Sequence, residues 1–247
     1  MRALVTGASA GIGEAYVQQL AERCDSMLLV ARREDRLQAL IERLPGKCHF
    51  ELLIADLATQ EGQARTVEAI RQGAALDLLI NNAGFSTLGP FVDCDLDKEI
   101  VMLRLHQEAT LALSRAALPA MCERGSGAVI NVSSIGGLVE MPGVAVYGAT
   151  KAFLVSFSRS LREELRGSGV RVQCLCPGYT RTEIHSRESF QGFDVDRVPE
   201  GLWMESDDVV AESLDAVLDT TQDRWLVVPG EHNRSIVDRS QQSLSSW

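Results

Sequence analysis

No run of this sequence approaches the ~20 consecutive apolar residues of a membrane-crossing helix, so no span is expected. Its six cysteines, at positions 24, 48, 94, 122, 174 and 176, contain no CxxC pair and no cluster. That pattern argues against a disulfide framework or a cysteine-bound metal. It suggests reduced thiols in a cytoplasmic protein, and no resident metal is expected. Positive charge is scarce too: 24 Lys and Arg against 34 Asp and Glu leave a net charge of -10. The resulting field repels polyanions, which speaks against nucleic acid as a partner but leaves room for a local pocket that takes one phosphate. No interior linker rich in Pro, Gly or Ser breaks the chain and no internal repeat occurs, so one domain over residues 1–247 is the economical expectation. A leader segment is not expected, because Met1 runs almost at once into Ala3-Leu4-Val5.

What is present is the composition of a folded protein, with 45% hydrophobic and 23% charged residues. Short apolar runs lie at 3–6, 26–31, 49–54, 77–81, 127–132, 170–176 and 224–228, separated by segments of helical spacing. Nearly continuous apolar runs suit parallel strands covered on both faces. In one helical segment Ala149, Phe153, Phe157, Leu161 and Leu165 recur every four positions, and Gly167-Ser168-Gly169 marks its end. The alternation predicts an α/β protein with a single doubly wound, Rossmann-type parallel sheet of about seven strands and helices on both faces. Residues 183–206 break the rhythm, mixing polar residues with Phe190, Phe193, Val198 and Trp203 at no clean period. A segment of that length points to function, and its aromatics favour a substrate-binding lid over a plain surface loop.

Four motifs follow strand ends. Thr6-Gly7-Ala8-Ser9-Ala10-Gly11-Ile12-Gly13 follows the first run and opens a helix. Glycines there let the backbone turn tightly and approach a pyrophosphate, whose charge sits at the positive helix end. The second run ends in Ala31-Arg32-Arg33, where an NAD-selective fold would carry an acidic residue. Two guanidinium groups and no carboxylate favour the 2′-phosphate of NADP(H), with NAD(H) still possible. Asp56, before Leu57, either accepts from an adenine amino group or caps the next helix. Asn81-Asn82-Ala83-Gly84 lets the chain pass close to a cofactor, or is simply an asparagine-rich turn.

The reactive set is Ser134, Tyr147 and Lys151. A separation of four puts Tyr147 and Lys151 on one helix face, and Ser134 lies just past the strand ending Asn131-Val132. A phenol with a pKa of ~10 is a poor base at neutral pH. An ammonium and a cationic nicotinamide nearby favour the phenolate, and a shift of about three units needs about 4 kcal/mol. Tyr147 can then give a proton to a carbonyl as hydride arrives, or take one from an alcohol as hydride leaves, with Ser134 bonded to the same oxygen.

These motifs, in this order over nearly the whole chain, resemble the short-chain dehydrogenase/reductase family in its compact form. The resemblance implies that Tyr147 is the acid/base and Ser134 the ligand of the substrate oxygen. Lys151 would lower the tyrosine pKa and bind the nicotinamide ribose. It implies that Gly7, Ser9, Ala10, Gly11, Ile12 and Gly13 cradle the cofactor, with Asp56 and Leu57 at the adenine and Asn82, Ala83 and Gly84 beside it. Pro177-Gly178-Tyr179-Thr180-Arg181-Thr182 is similar to the segment that contacts the nicotinamide, where Thr182 would bond the carboxamide. Assembly as a homodimer or homotetramer is usual in such proteins. One position departs. Counting back from Leu118-Pro119-Ala120-Met121 puts His106 where many members carry a catalytic asparagine, and no asparagine occurs between Asn82 and Asn131. In the family that residue's main-chain carbonyl holds a relay water. His106 either keeps this role or packs in the helix, and a titrating imidazole would alter the pH profile.

The expectation is an NADP(H)-preferring oxidoreductase that interconverts a secondary alcohol and a ketone, the substrate being apolar. An NAD-linked alcohol dehydrogenase and a catalytically weak nucleotide sensor or scaffold are the alternatives.

Overall fold

A computed structural model of the chain describes residues 1–44, 46–183 and 194–244. Seven strands, β1 (Arg2–Thr6), β2 (Ser26–Ala31), β3 (His49–Ile54), β4 (Leu78–Asn81), β5 (Gly127–Val132), β6 (Val170–Leu175) and β7 (Leu226–Val227), form one sheet in the order β3-β2-β1-β4-β5-β6-β7. Every pairing is parallel, so Val5 of β1 lies between Leu29 of β2 and Ile80 of β4. Parallel neighbours need crossovers, supplied by α1 (Gly11–Leu20), α2 (Glu34–Ile41), α3 (Gln60–Gln72), α4 (Leu96–Leu103), α5 (Ala109–Arg124), α6 (Ala145–Glu164) and α7 (Ser206–Leu218), with α8 (Glu231–Leu244) after β7. The predicted Rossmann-type sheet is therefore the observed one.

Two cores explain why the strands read as unbroken apolar runs. Alternate strand residues Ala3, Val5, Met27, Leu29 and Ile80 point to one side and pack on Tyr16 and Leu20 of α1, Leu37 and Leu40 of α2, and Val210 and Leu214 of α7. The intervening Leu4, Leu28, Val30, Leu79 and Val129 point to the other and pack on Ile70 of α3 and Ala109, Leu113 and Met121 of α5. Burying both faces leaves no position in β1 or β4 for an exposed polar residue.

Strand ends differ slightly from the sequence pattern. Of the predicted 224–228 strand, Leu226 and Val227 form the strand itself, in register with Cys174 and Leu175, and the Trp225 carbonyl accepts from the Cys174 amide at 2.6 Å. In α6 the period is as predicted but the buried face is offset. Thr150, Lys151, Leu154, Ser158 and Leu161 turn inward, whereas Ala149 is exposed and Phe153 and Phe157 are half-buried. The two phenyl rings stack with centroids 5.9 Å apart. Polar groups win the inward positions because each has a partner there: Ser158 Oγ, for one, accepts from Asn131 Nδ2 at 2.9 Å. Between α4 and α5, residues Arg104–Glu108 form a π-helical turn, a local widening that re-aims the side chains it carries.

The strand order reverses between β1 and β4, and a crevice opens beyond their C-terminal ends. In open α/β sheets that switch point is where ligands bind.

Candidate active site

The glycine turn lines one wall of this crevice, and its shape follows from the missing side chains. Gly7 has φ +67° and Gly11 φ +56°, left-handed values that suit glycine alone among common residues. A Cβ on Gly13 would sit 2.2 Å from the Gly7 carbonyl oxygen. Asn82 ties the turn to the end of β4: its Nδ2 donates to Thr6 O at 2.9 Å, and the amides of Asn82 and Ala83 each donate to Thr6 Oγ1 at 2.9 Å. The backbone that faces a pyrophosphate is thus held open by the strand beside it. Thr182 caps the same spot, since a Cβ on Gly11 would come within 2.9 Å of its Cγ2.

Opposite stand Ser134, Tyr147 and Lys151, all lining the same cleft of about 290 Å³ as Gly7, Ser9, Ala10, Gly11, Ile12, Asp56, Leu57, Asn82, Ala83, Gly84, Pro177, Gly178, Thr180 and Thr182. Ser134 leaves β5 with extended backbone, and its Oγ accepts from Gly136 N–H at 3.1 Å. Lys151 is buried; its Nζ donates to Val132 O at 2.9 Å and lies 5.5 Å from the Tyr147 ring centre. Burial draws the ammonium pKa down to about 8. In the protein alone the Tyr147 phenol is pushed up from 10 by burial, with a hydrogen bond to Ser134 opposing the rise. The lowered phenol pKa expected from the sequence is thus absent from the free chain. Without the cationic cofactor ring, desolvation outweighs the Ser134 hydrogen bond. Beneath them Cys176 is held well above its usual pKa by its hydrogen bond with Cys174 and by burial.

His106 lies on the π-helical turn, buried, against the other end of the pair. The Phe85 amide donates to Nε2 at 3.2 Å, so Nδ1 carries the proton of the neutral ring and donates to Thr150 Oγ1 at 2.8 Å. Thr150 in turn donates to the main-chain carbonyl of Tyr147 at 2.7 Å. One tautomer satisfies the whole chain of bonds. Burial, then the nearby Lys151 charge, keeps the imidazole well below its usual pKa and hence neutral. Gly84 makes this approach possible, since a Cβ there would come within 2.7 Å of Nε2.

At the adenosine end the two arginines part company. Arg33 reaches Ser9 O and Oγ at 3.4 Å, while its other terminal nitrogen is 2.8 Å from Glu183. Arg32 is two-thirds exposed and only approaches Asp56, at 3.7 Å. Asp56 does not cap α3; Thr59 does, accepting from Gly62 N–H at 3.0 Å, while Asp56 accepts from Ala58 N–H. Part of the cleft wall is apolar, built by Phe85, Val101, Leu105, Ile135, Met141, Val144 and the ring of Tyr179. Trp203 is not on that wall: its ring lies 5.5 Å from that of Tyr179 and 5.3 Å from the Arg181 guanidinium. Phe190 and Phe193, the other two aromatics of the expected lid, lie outside the described residues.

Residues 1–191 match the family model described as short chain dehydrogenase. The chain belongs to that family. It is 34% identical over 198 residues to a very-long-chain 3-oxoacyl-CoA reductase of Anas platyrhynchos, a match covering 78% of the chain but 63% of that relative. The chain spans less than two thirds of the length of that relative and of its Bos taurus counterpart, 60% of which is matched. An NADP-dependent 3-hydroxy acid dehydrogenase of Salmonella typhi is 35% identical, with 78% of each chain covered. Among solved structures, a short-chain dehydrogenase from Sphingobium yanoikuyae in complex with NADPH superposes with TM-score 0.86 at 35% identity, covering 99% of this chain and 94% of that one. A bulky-bulky ketone specific alcohol dehydrogenase from Comamonas testosteroni gives TM-score 0.81 at 29% identity, covering 99% and 93%.

Thr150 escaped sequence reading of this short-chain dehydrogenase site, and Glu183 was placed only as the first residue of the expected lid. Thr150 had a weak signal, standing three residues after Tyr147 and so on nearly the same helix face. For Glu183 nothing in the sequence pointed to a partner in Arg33. No helix among the described residues is long and apolar enough to cross a membrane, and no His/Cys/Asp/Glu group among them is arranged to hold a metal.

Proposed function

We propose that the protein is an NADP(H)-preferring oxidoreductase that interconverts a secondary alcohol and a ketone, with Tyr147 as acid/base. The observation that carries this reading is the shared cleft: Ser134, Tyr147 and Lys151 face the glycine turn across one space, with Arg33 at its far end. A nicotinamide dinucleotide bound there would supply or take up the hydride. The missing Cβ atoms at Gly7, Gly11 and Gly13, the arginine set and the NADP-dependent or NADPH-bound relatives support that fit.

The chain's own part is binding, orientation and proton handling. Gly7 to Gly13 would hold the pyrophosphate, Thr182 the nicotinamide carboxamide, Asp56 and Leu57 the adenine side, and Lys151 the nicotinamide ribose. Ser134 fixes the substrate oxygen by hydrogen bonding. Tyr147 passes a proton at its hydroxyl to that oxygen, or takes one from it. A cationic cofactor ring beside Tyr147 would favour the phenolate and reverse the upward shift of the free chain. His106 does not itself shuttle protons in this scheme; neutral and doubly bonded, it braces the Tyr147 carbonyl and the Phe85 turn, while the widened π turn leaves its main-chain role open to a relay water. The apolar wall suits a bulky ketone, and a homo-oligomer is the expected assembly.

One observation favours an NAD-linked enzyme instead: both arginines beyond β2 face carboxylates, Arg33 at Glu183 and Arg32 at Asp56. Incubating purified protein with NADPH or NADH and a panel of aromatic, steroid and aliphatic ketones tests all of these. Absorbance loss faster with NADPH is expected. Cofactor binding without turnover on any ketone would return the reading to a nucleotide sensor.

A further inference from the structure

We propose that Glu183 sets the cofactor discrimination of this enzyme by occupying the seat of the 2′-phosphate. The inference rests on the NADP(H) reading above. Arg33 follows the end of β2, where the ribose of a dinucleotide lies in this fold. Its guanidinium points back at the glycine turn through Ser9, so it borders the cofactor's path. The anion now on that guanidinium is Glu183, 2.8 Å from Arg33 and 3.6 Å from Arg36, with its side chain about one-third exposed. Glu183 does not reach there by chance of a loose surface chain. Its neighbour Thr182 is wedged against Gly11, which plants the backbone at the pyrophosphate end of the cleft, and Glu183 itself lines that cleft.

A carboxylate and a phosphate monoester compete for the same fork of donors, and a phosphate with a charge near -2 is the stronger acceptor. Two anions cannot share the seat, because each would stand within hydrogen-bond distance of the other. NADP(H) therefore has to displace Glu183 from Arg33, whereas NAD(H) leaves the pair intact. Arg36 offers the displaced carboxylate a second cation, which limits the loss. Glu183 thus tempers the preference that Arg33 creates.

The test uses nucleotides without nicotinamide, so that catalysis plays no part. Dissociation constants of 2′,5′-ADP and 5′-ADP are measured by calorimetry for the wild type, Glu183→Gln, Arg33→Ala and the double variant. Glu183→Gln should tighten 2′,5′-ADP about fivefold, the size of a partly exposed ion pair, and change 5′-ADP less than about twofold. The gain should vanish in the Arg33→Ala background and shrink as salt is raised. Unchanged or weaker 2′,5′-ADP binding in Glu183→Gln, with Arg33→Ala still weakening it, overturns the role of Glu183 alone. Arg33→Ala with no selective loss of 2′,5′-ADP overturns the NADP(H) reading as well.

Discussion

Lys151 and His106 are both buried, both depressed in pKa, and both linked to the tyrosine helix, yet they act on stability at opposite ends of the pH range. Lys151 binds its proton less tightly when folded, at about 8 against 10.5 in the open chain. The unfolded state is then the better proton binder between those values, so stability rises as pH climbs from about 8 to about 10.5. A shift of that size corresponds to about 3 kcal/mol at neutral pH, less about 1 for orphaning Val132 O. Lys151→Met should therefore gain about 2 kcal/mol in urea unfolding at pH 7 while abolishing turnover; a lower midpoint at pH 7 would contradict it. His106 is also the poorer proton binder when folded, so stability falls as pH drops below its usual ~6.5. His106→Asn should flatten that acid-side loss, read from unfolding midpoints between pH 5 and 7. Tyr147→Phe should reduce turnover by about a thousandfold with nucleotide affinity nearly unchanged, the size of a lost proton donor. Tyr147 and Lys151 were legible because their spacing is a local property of one helix, and Ser134 because it lies just past a readable strand. The neutral His106 state was not, since it depends on the Gly84-Phe85 turn and on Thr150 of α6 meeting the ring from two separate segments.

The β1–α1 turn makes its demand through backbone, which is why its glycines stood out in the sequence. Gly13→Ala would push a methyl to 2.2 Å from the Gly7 carbonyl, an atom that cannot swing aside. About 3 kcal/mol of stability should be lost in urea unfolding, together with nucleotide binding. Gly201→Ala, with nothing within 4 Å, should stay within about 0.5 kcal/mol and serves as the control. Helix α6 teaches the converse. Its four-residue period was readable, but the apolar stripe and the buried face are offset, because Thr150, Lys151 and Ser158 are drawn inward by partners on other elements. Similarly, Asp56 looked able to cap α3, and Thr59 three residues on performs that task.

Across the whole molecule, a net charge of -10 coexists with a small cationic corner at Arg33 and Arg36. A long-range field of that sign disfavours anionic cofactors, so selectivity for a 2′-phosphate has to come from contact-range groups. The stacked, half-buried Phe153 and Phe157 form an apolar strip on α6, and the homo-oligomer proposed above can be tested there. Replacing both with Asp should halve the mass seen by sedimentation if that face is the interface, and an unchanged mass would place the interface elsewhere. The fold class, the glycine turn and the Ser134, Tyr147 and Lys151 set were already determined by the chain's local patterns, since strand alternation, tight turns and helix spacing act over a few residues. Tertiary structure alone decided which helix face is buried, which arginine faces the cofactor's path, that His106 is a neutral brace, and that Glu183 meets Arg33. Each of those depends on partners far apart in sequence, brought together only when the sheet stacks its strands out of chain order.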